Sequence, residues 1–229
     1  MTSRSLGKKS VFTRRWRWNR RAPLRGFYNA WLRLFYRALI RHTVVGREHV
    51  PQAGPAIVMI NHVAWPDPFV VLAALGRPIT PMAKVELFED WKMRWLVGPY
   101  GAIPVHRGDV DTQALRSATE VLNQGGLVLI SPEGTRSKTG GLIEAQEGMA
   151  YLAARARAPI LPVAIIGSTR VNAELKRLRR ARITIAVGAP FLLDPGGAKL
   201  DRAELRRLTD EAMRRLAALL PEEMRGVYR

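Results

Sequence analysis

The run Ala56-Ile57-Val58-Met59-Ile60-Asn61-His62-Val63-Ala64-Trp65-Pro66-Asp67 decides how this chain is read. An apolar stretch stops abruptly at Asn61-His62. A run this short, with no polar residue alternating through it, describes a strand buried on both faces. Pro66 sits well in the first turn of a helix, so the strand passes through a brief polar loop into a helix. The pattern recurs at Leu127–Ile130, which empties into Ser131-Pro132-Glu133-Gly134-Thr135-Arg136-Ser137. Working outward, Ile79–Ala83, Ala102–Val105, Ile160–Ile166 and Ile183–Val187 read as further strands. Helical spacing predicts helices over about 67–75, 86–97, 111–123, 145–157 and 201–219. The last opens with Asp201 and Glu204 in a capping-box-like spacing. Strand–helix alternation of this kind indicates an α/β fold with a largely parallel central sheet flanked by helices.

In such sheets function gathers on loops beyond the carboxyl ends of strands. The first loop delivers His62 to a strand exit and brings Asp67 five residues later. If the loop folds back, Asp67 accepts from one imidazole nitrogen, fixes the tautomer and favours the imidazolium once formed. The other nitrogen is then free to take a proton. No serine or cysteine nucleophile stands beside the pair, so the simplest chemistry is activation of a hydroxyl on the substrate. A His-x4-Asp spacing alone also describes a capped turn. The second loop offers the forked donor of Arg136, two hydroxyls and a glycine. Arg136 suits phosphate, and Glu133 could orient it or accept from a substrate hydroxyl; an ordinary turn with a surface ion pair reads equally well. Arg107 stands at another strand end, where it could converge with Arg136 on one phosphate, and His106 beside it reads as a bystander.

The chain has 229 residues, 37 basic and 19 acidic side chains, a formal net charge of +18 and no cysteine. Thiol nucleophiles, disulfide scaffolds and cysteine metal sites are thereby excluded. A balance this basic calls for a polyanion: nucleic acid, an anionic membrane or a phosphorylated substrate. Residues 1–50 carry 13 Lys/Arg and one acidic residue, so most of the excess lies there. Within that head, Phe27–Arg41 reads as a helix with Phe27, Trp31, Leu34, Phe35 and Ala38 on one face. Arg25, Asn29, Arg33, Arg37 and Arg41 form a stripe beside it. An aromatic face beside arginines suits a helix lying in a membrane interface; a soluble amphipathic helix or a basic nucleic-acid arm has the same pattern. No segment is apolar for long enough to span a bilayer, and no signal-peptide core is present. The expected organisation is a membrane-associating arm over 1–44 and a catalytic domain over 45–229. The histidines at 42, 49, 62 and 106 show no paired ligand spacing, so no metal is expected. A further basic cluster runs Lys176-Arg177-x-Arg179-Arg180-x-Arg182.

Asn61-His62-x4-Asp67, Ile103-Pro104-Val105-x-Arg107, Pro132-Glu133-Gly134-Thr135-Arg136-Ser137 and Ile160-Leu161-Pro162-Val163 occur in that order. Together they resemble the four blocks of the glycerolipid acyltransferases, specifically the 1-acyl-sn-glycerol-3-phosphate acyltransferases. Lys84-x-Glu86-Leu87 is similar to the family's stretch between the first two blocks. The resemblance implies transfer of a fatty acyl group from acyl-CoA or acyl-carrier protein to the free hydroxyl of a lysophospholipid. By resemblance His62 is the general base and Asp67 its partner. Arg107, Glu133, Gly134, Thr135 and Arg136 bind the glycerol phosphate, and Pro162 lies near the acyl or acceptor site. Glycerol-3-phosphate or another lysolipid is the alternative acceptor. No cofactor beyond the acyl donor is implied, no nucleic acid, and the implied location is the cytoplasmic face of a bacterial inner membrane. The chain departs from the family at Ala64, where a serine is common, at Ser131, where an aromatic residue is common, and at Ala145-Gln146-Glu147-Gly148, where relatives often show Phe-Lys-x-Gly.

Overall fold

A computed structural model of the chain describes residues 22–91, 93, 101–106, 111–197 and 199–229. Among these, seven strands form one sheet in the order β1-β7-β6-β2-β5-β3-β4. They are β1 (Ile40–Val45), β2 (Ala56–Ile60), β3 (Ile79–Lys84), β4 (Ile103–Val105), β5 (Leu127–Ile130), β6 (Ile160–Ile166) and β7 (Ala181–Val187). Strands β4, β3, β5, β2 and β6 run parallel to one another. β7 is antiparallel to β6, and β1 runs parallel to β7 at the edge. The sheet is thus the largely parallel one that the sequence predicts.

The helices divide between the two faces. α1 (Ala22–Leu39) and α2 (Asp67–Ala74) pack on one face with α6 (Val171–Lys176). On the other lie α4 (Thr112–Asn123), α5 (Gly148–Ala156) and α7 (Arg202–Ala217). The short α3 (Glu86–Glu89) follows β3. The crossover from β2 to β3 carries α2 on the first face, and those from β4 to β5 and from β5 to β6 carry α4 and α5 on the second. Opposite directions on opposite faces are what right-handed crossovers require. All five residues of β2 are buried, which explains its unbroken apolar character.

Two features differ from expectation. The helix expected to run through Arg41 ends at Leu39 and turns directly into β1. His42, Thr43, Val44 and Val45 pair residue for residue with β7, from His42 opposite Ile183 to Val45 opposite Ala186. Ladder bonds and β-branched side chains there override the helical spacing, and the expected division at residue 44 falls inside this strand. Val171–Lys176, where the spacing predicts no helix, forms α6 and covers the start of the basic cluster. Of the expected helix 86–97, α3 covers Glu86–Glu89, and residues 92 and 94–97 lie outside the described residues. At the other end of the chain, Asp201 caps α7 as expected, its Oδ1 accepting from Glu204 N–H at 2.9 Å.

Candidate active site

The parallel register sets the site. Met59 of β2 lies opposite Ile130 of β5, so three residues further on His62 comes level with Glu133. The His62 N–H donates to Glu133 Oε1 at 2.9 Å, and the Ser137 N–H donates to the His62 carbonyl at 2.8 Å. Both sides of the His62 backbone are therefore held by the second loop. Asn61 fixes the other flank: its amide donates to the Ile165 carbonyl at 3.0 Å and its Oδ1 accepts from Ile165 N–H at 2.7 Å. The buried Asn61 side chain extends the β2–β6 ladder one step beyond the strand. Nothing in the apolar run or in the His-x4-Asp spacing marks Asn61 for this role.

Asp67 is the first residue of α2 and is fully buried. Its Oδ2 accepts from Val63 N–H at 2.8 Å, Ala64 N–H at 2.7 Å and His62 Nδ1 at 3.1 Å. A carboxylate at a helix start suits the positive end of the helix dipole. The backbone bonds lock the carboxylate, and the carboxylate in turn orients the imidazole. With Nδ1 donating, Nε2 is the acceptor. No described residue bonds to Nε2, and the His62 side chain keeps 19% of its surface exposed. The fold-back anticipated from the sequence is therefore present, with an open proton-accepting nitrogen.

Glu133 turns inward. It is buried, its Oε2 accepts from Ile143 N–H at 3.1 Å, and burial pushes its carboxyl up to about 7 against the opposing pull of the Ile143 and His62 N–H bonds. Its place is behind His62, and neither Arg136 orientation nor a surface ion pair is seen among the described residues. Gly134 has φ +65° and closes a turn with its N–H on the Ser131 carbonyl at 3.1 Å. A side chain there would be strained. Thr135 and Arg136 are exposed beyond that turn. Pro162 lies within β6 opposite Met59, inside the sheet rather than at its carboxyl edge.

Arg107 lies outside the described residues. The register from β5 through β3 to β4 brings His106, its neighbour, level with Glu133 and His62. Three strand spacings put the end of β4 about 14 Å from β2 along that edge. His106 itself forms a second pair of the same spacing: Asp111 Oδ2 accepts from His106 N–H at 2.8 Å and from Nδ1 at 3.0 Å. Burial works against the Asp111 charge, but its bonds to His106 and Ala114 outweigh it and hold the carboxyl below its usual range. This histidine is 63% exposed, just past the edge strand β4. His-x4-Asp is thus a local capping device used twice, and only the copy on the central strand is clasped by a second loop. No group of three or more His, Cys, Asp or Glu side chains suited to a metal occurs among the described residues.

A family model described as Acyltransferase matches residues 41–166, from β1 to the end of β6. The chain belongs to the acyltransferase family. A probable 1-acyl-sn-glycerol-3-phosphate acyltransferase of Mycoplasma pneumoniae is 28% identical over 63% of this chain and 56% of that protein. The 1-acyl-sn-glycerol-3-phosphate acyltransferase alpha of Homo sapiens is 31% identical over 54% of this chain and 45% of that protein. The chain thus spans about half the length of the curated relatives it matches. A crystal structure described as the 1-acyl-sn-glycerophosphate (LPA) acyltransferase PlsC of Thermotoga maritima shares the fold. Its TM-score is 0.66, at 23% identity over 91% of this chain and 83% of that one. Both sequence-predicted loops of this acyltransferase lie inside the matched stretch.

Proposed function

We propose that this acyltransferase moves a fatty acyl group from an acyl thioester, acyl-CoA or acyl-carrier protein, to the free sn-2 hydroxyl of 1-acyl-glycerol 3-phosphate. The product is phosphatidic acid for phospholipid synthesis. The observation that carries the reading is the His62–Asp67 pair at 3.1 Å, with Asp67 locked by two backbone N–H groups and His62 Nε2 open. The relatives' names supply the acceptor.

In this reaction His62 Nε2 takes the proton of the acceptor hydroxyl as its oxygen attacks the thioester carbonyl. The imidazolium is stabilised by Asp67. When the tetrahedral intermediate collapses, the C–S bond breaks and the sulfur takes the proton from Nε2, so the enzyme ends unchanged. Asp67 and Glu133 act as positioning residues, the first through the ring and the second through the His62 backbone. Arg136, Thr135 and Gly134 at the second loop, with Arg107 beyond β4, receive the acceptor phosphate. No metal or further cofactor enters the scheme.

The reaction needs two lipidic substrates, which places it at a membrane surface. On α1, Phe27, Trp31, Leu34 and Phe35 are all exposed, with the Trp31 and Phe35 rings stacked at 5.3 Å. Such a stripe suits the interface of an anionic bilayer, and the cytoplasmic face of a bacterial inner membrane is the location we assign. No described helix is long and apolar enough to cross a membrane.

The test is acyl transfer by purified protein from acyl-CoA and from acyl-carrier protein, offered 1-acyl-glycerol 3-phosphate and glycerol 3-phosphate in parallel. Phosphatidic acid from the first acceptor supports the assignment. Product from glycerol 3-phosphate alone, or no product with either donor, overturns it.

A further inference from the structure

A second basic feature lies away from the reaction centre. The C-terminal half of α1, the start of β1, the short turn after β1 and the end of α2 enclose an open pocket of about 100 Å³. It is lined by Arg33, Tyr36, Arg37, His42 and Arg47. Asp67 opens α2, whereas Ala73, Ala74 and Gly76 close this pocket. The two sites therefore lie at opposite ends of one helix, about 10 Å apart along its axis.

The lining holds three guanidinium groups and no acidic side chain. Among the described residues no carboxylate forms an ion pair with Arg33, Arg37 or Arg47. Arg33 is partly spoken for, donating to the Gly76 carbonyl at 2.7 Å, but its Nε is buried without a partner. Tyr36 is only 5% exposed, yet its hydroxyl is also buried and unpartnered. A buried hydroxyl without a partner costs free energy, and so does crowding cations with no counter-charge. Both costs disappear if an anion with several oxygens occupies the pocket. Its donors come from α1, with Arg33, Tyr36 and Arg37, and from the turn after β1, with Arg47, and Arg is the side chain best matched to phosphate. The volume leaves room for a phosphate group. The His42 ring lies tilted against Tyr36, with ring centroids 5.0 Å apart.

We propose that this pocket is a phosphate-binding site, in which Arg33, Arg37, Arg47 and the Tyr36 hydroxyl receive the oxygens of one phosphate group. That group belongs either to an anionic phospholipid headgroup or to free phosphate. Arg33 and Arg37 flank the exposed aromatic stripe of α1, so a helix lying in an interface would hold the pocket at headgroup depth. The site is independent of the acyl-transfer reading, because it shares no residue with the His62 centre.

His42 supplies a reporter. Burial, followed by the charges of Arg47, Arg37 and Arg180, holds its pKa below the ordinary value. A bound anion offsets those charges and raises it. The experiment follows the four histidine rings of the full chain by NMR at constant ionic strength. The probes are inorganic phosphate, then phosphatidylcholine bicelles with and without phosphatidylglycerol. The His42 pKa is expected to rise with at least one anionic probe. Tyr36→Phe and Arg37→Gln/Arg47→Gln should weaken that response about tenfold, while the charge-matched Arg155→Gln/Arg202→Gln keeps it. Tyr36→Phe should unfold no earlier than wild type in phosphate-free buffer, since the hydroxyl has no partner to lose. A response to phosphate and none to phosphatidylglycerol bicelles assigns the site to free phosphate; a response to phosphatidylglycerol alone assigns it to a headgroup. No His42 response to any anionic probe, or equal loss in the charge-matched control, overturns the site.

Discussion

Glu133 is the residue whose role is hardest to infer from its type. A glutamate in a polar turn invites a surface reading, yet this one is buried, with one oxygen on His62 N–H and the other on Ile143 N–H. Burial raises its pKa to about 7, well above the ordinary carboxylate range near 4.3. Between those values the folded chain holds a proton that the unfolded chain has released, so stability falls as pH rises through this window. The Glu133 contribution is fully present below about pH 4.3 and lost above about pH 7, and it amounts to roughly 3 kcal/mol. Glu133→Gln removes this dependence. Urea unfolding of both proteins from pH 4.5 to 8 should show wild type losing ground steadily to the variant as pH rises. A constant difference across that range contradicts the burial argument.

At the scale of elements, β2 and the two loops were legible in the sequence because buried parallel strands write themselves as unbroken apolar runs ending in polar residues. Once β2 and β5 are neighbours, their register brings His62 and Glu133 together without further information. What was not legible depended on distant partners. β1 is an edge strand only because β7 lies beside it. The end of the chain is another case. Its last residues dock on the loop that holds Glu133: the Leu142 N–H donates to the Met224 carbonyl at 3.0 Å, the Val227 N–H to the Leu142 carbonyl at 3.1 Å, and the Ala145 N–H to the Tyr228 hydroxyl at 3.1 Å. No motif marks this contact, since polar backbone pairing leaves no side-chain pattern. Gly226 makes it possible, having φ +55° and no Cβ to strike the Leu142 backbone. Gly226→Ala should therefore destabilise the protein by about 1–3 kcal/mol, measured by thermal unfolding, and lower acyl transfer by loosening the Ile143 N–H on Glu133. Unchanged stability would mean that the tail does not brace the site.

For the whole molecule, the net charge of +18 has acquired a location. Part of it is the Arg33, Arg37 and Arg47 cluster, on the same side of the sheet as the exposed aromatic stripe of α1. Membrane attraction of this kind combines a screened electrostatic part with a buried apolar part. Binding to phosphatidylglycerol vesicles should weaken steeply between low and high salt. Trp31→Ala/Phe35→Ala should weaken it about tenfold at every salt concentration while leaving transfer to a short-chain, water-soluble acceptor intact. Salt-independent binding, or no effect of the double variant, contradicts the interfacial role of α1. In the proposed mechanism this framework holds His62 as a base through Asp67, and that role sets the chemistry. It is tested most directly by the acyl-transfer kcat of His62→Ala, Asp67→Asn and the double variant, each confirmed folded. A loss of about 10²–10⁴-fold is expected for His62→Ala, a smaller loss for Asp67→Asn, and a double variant no worse than His62→Ala, because Asp67 acts only through the imidazole. Near wild-type turnover by His62→Ala, or losses that multiply in the double variant, would contradict it.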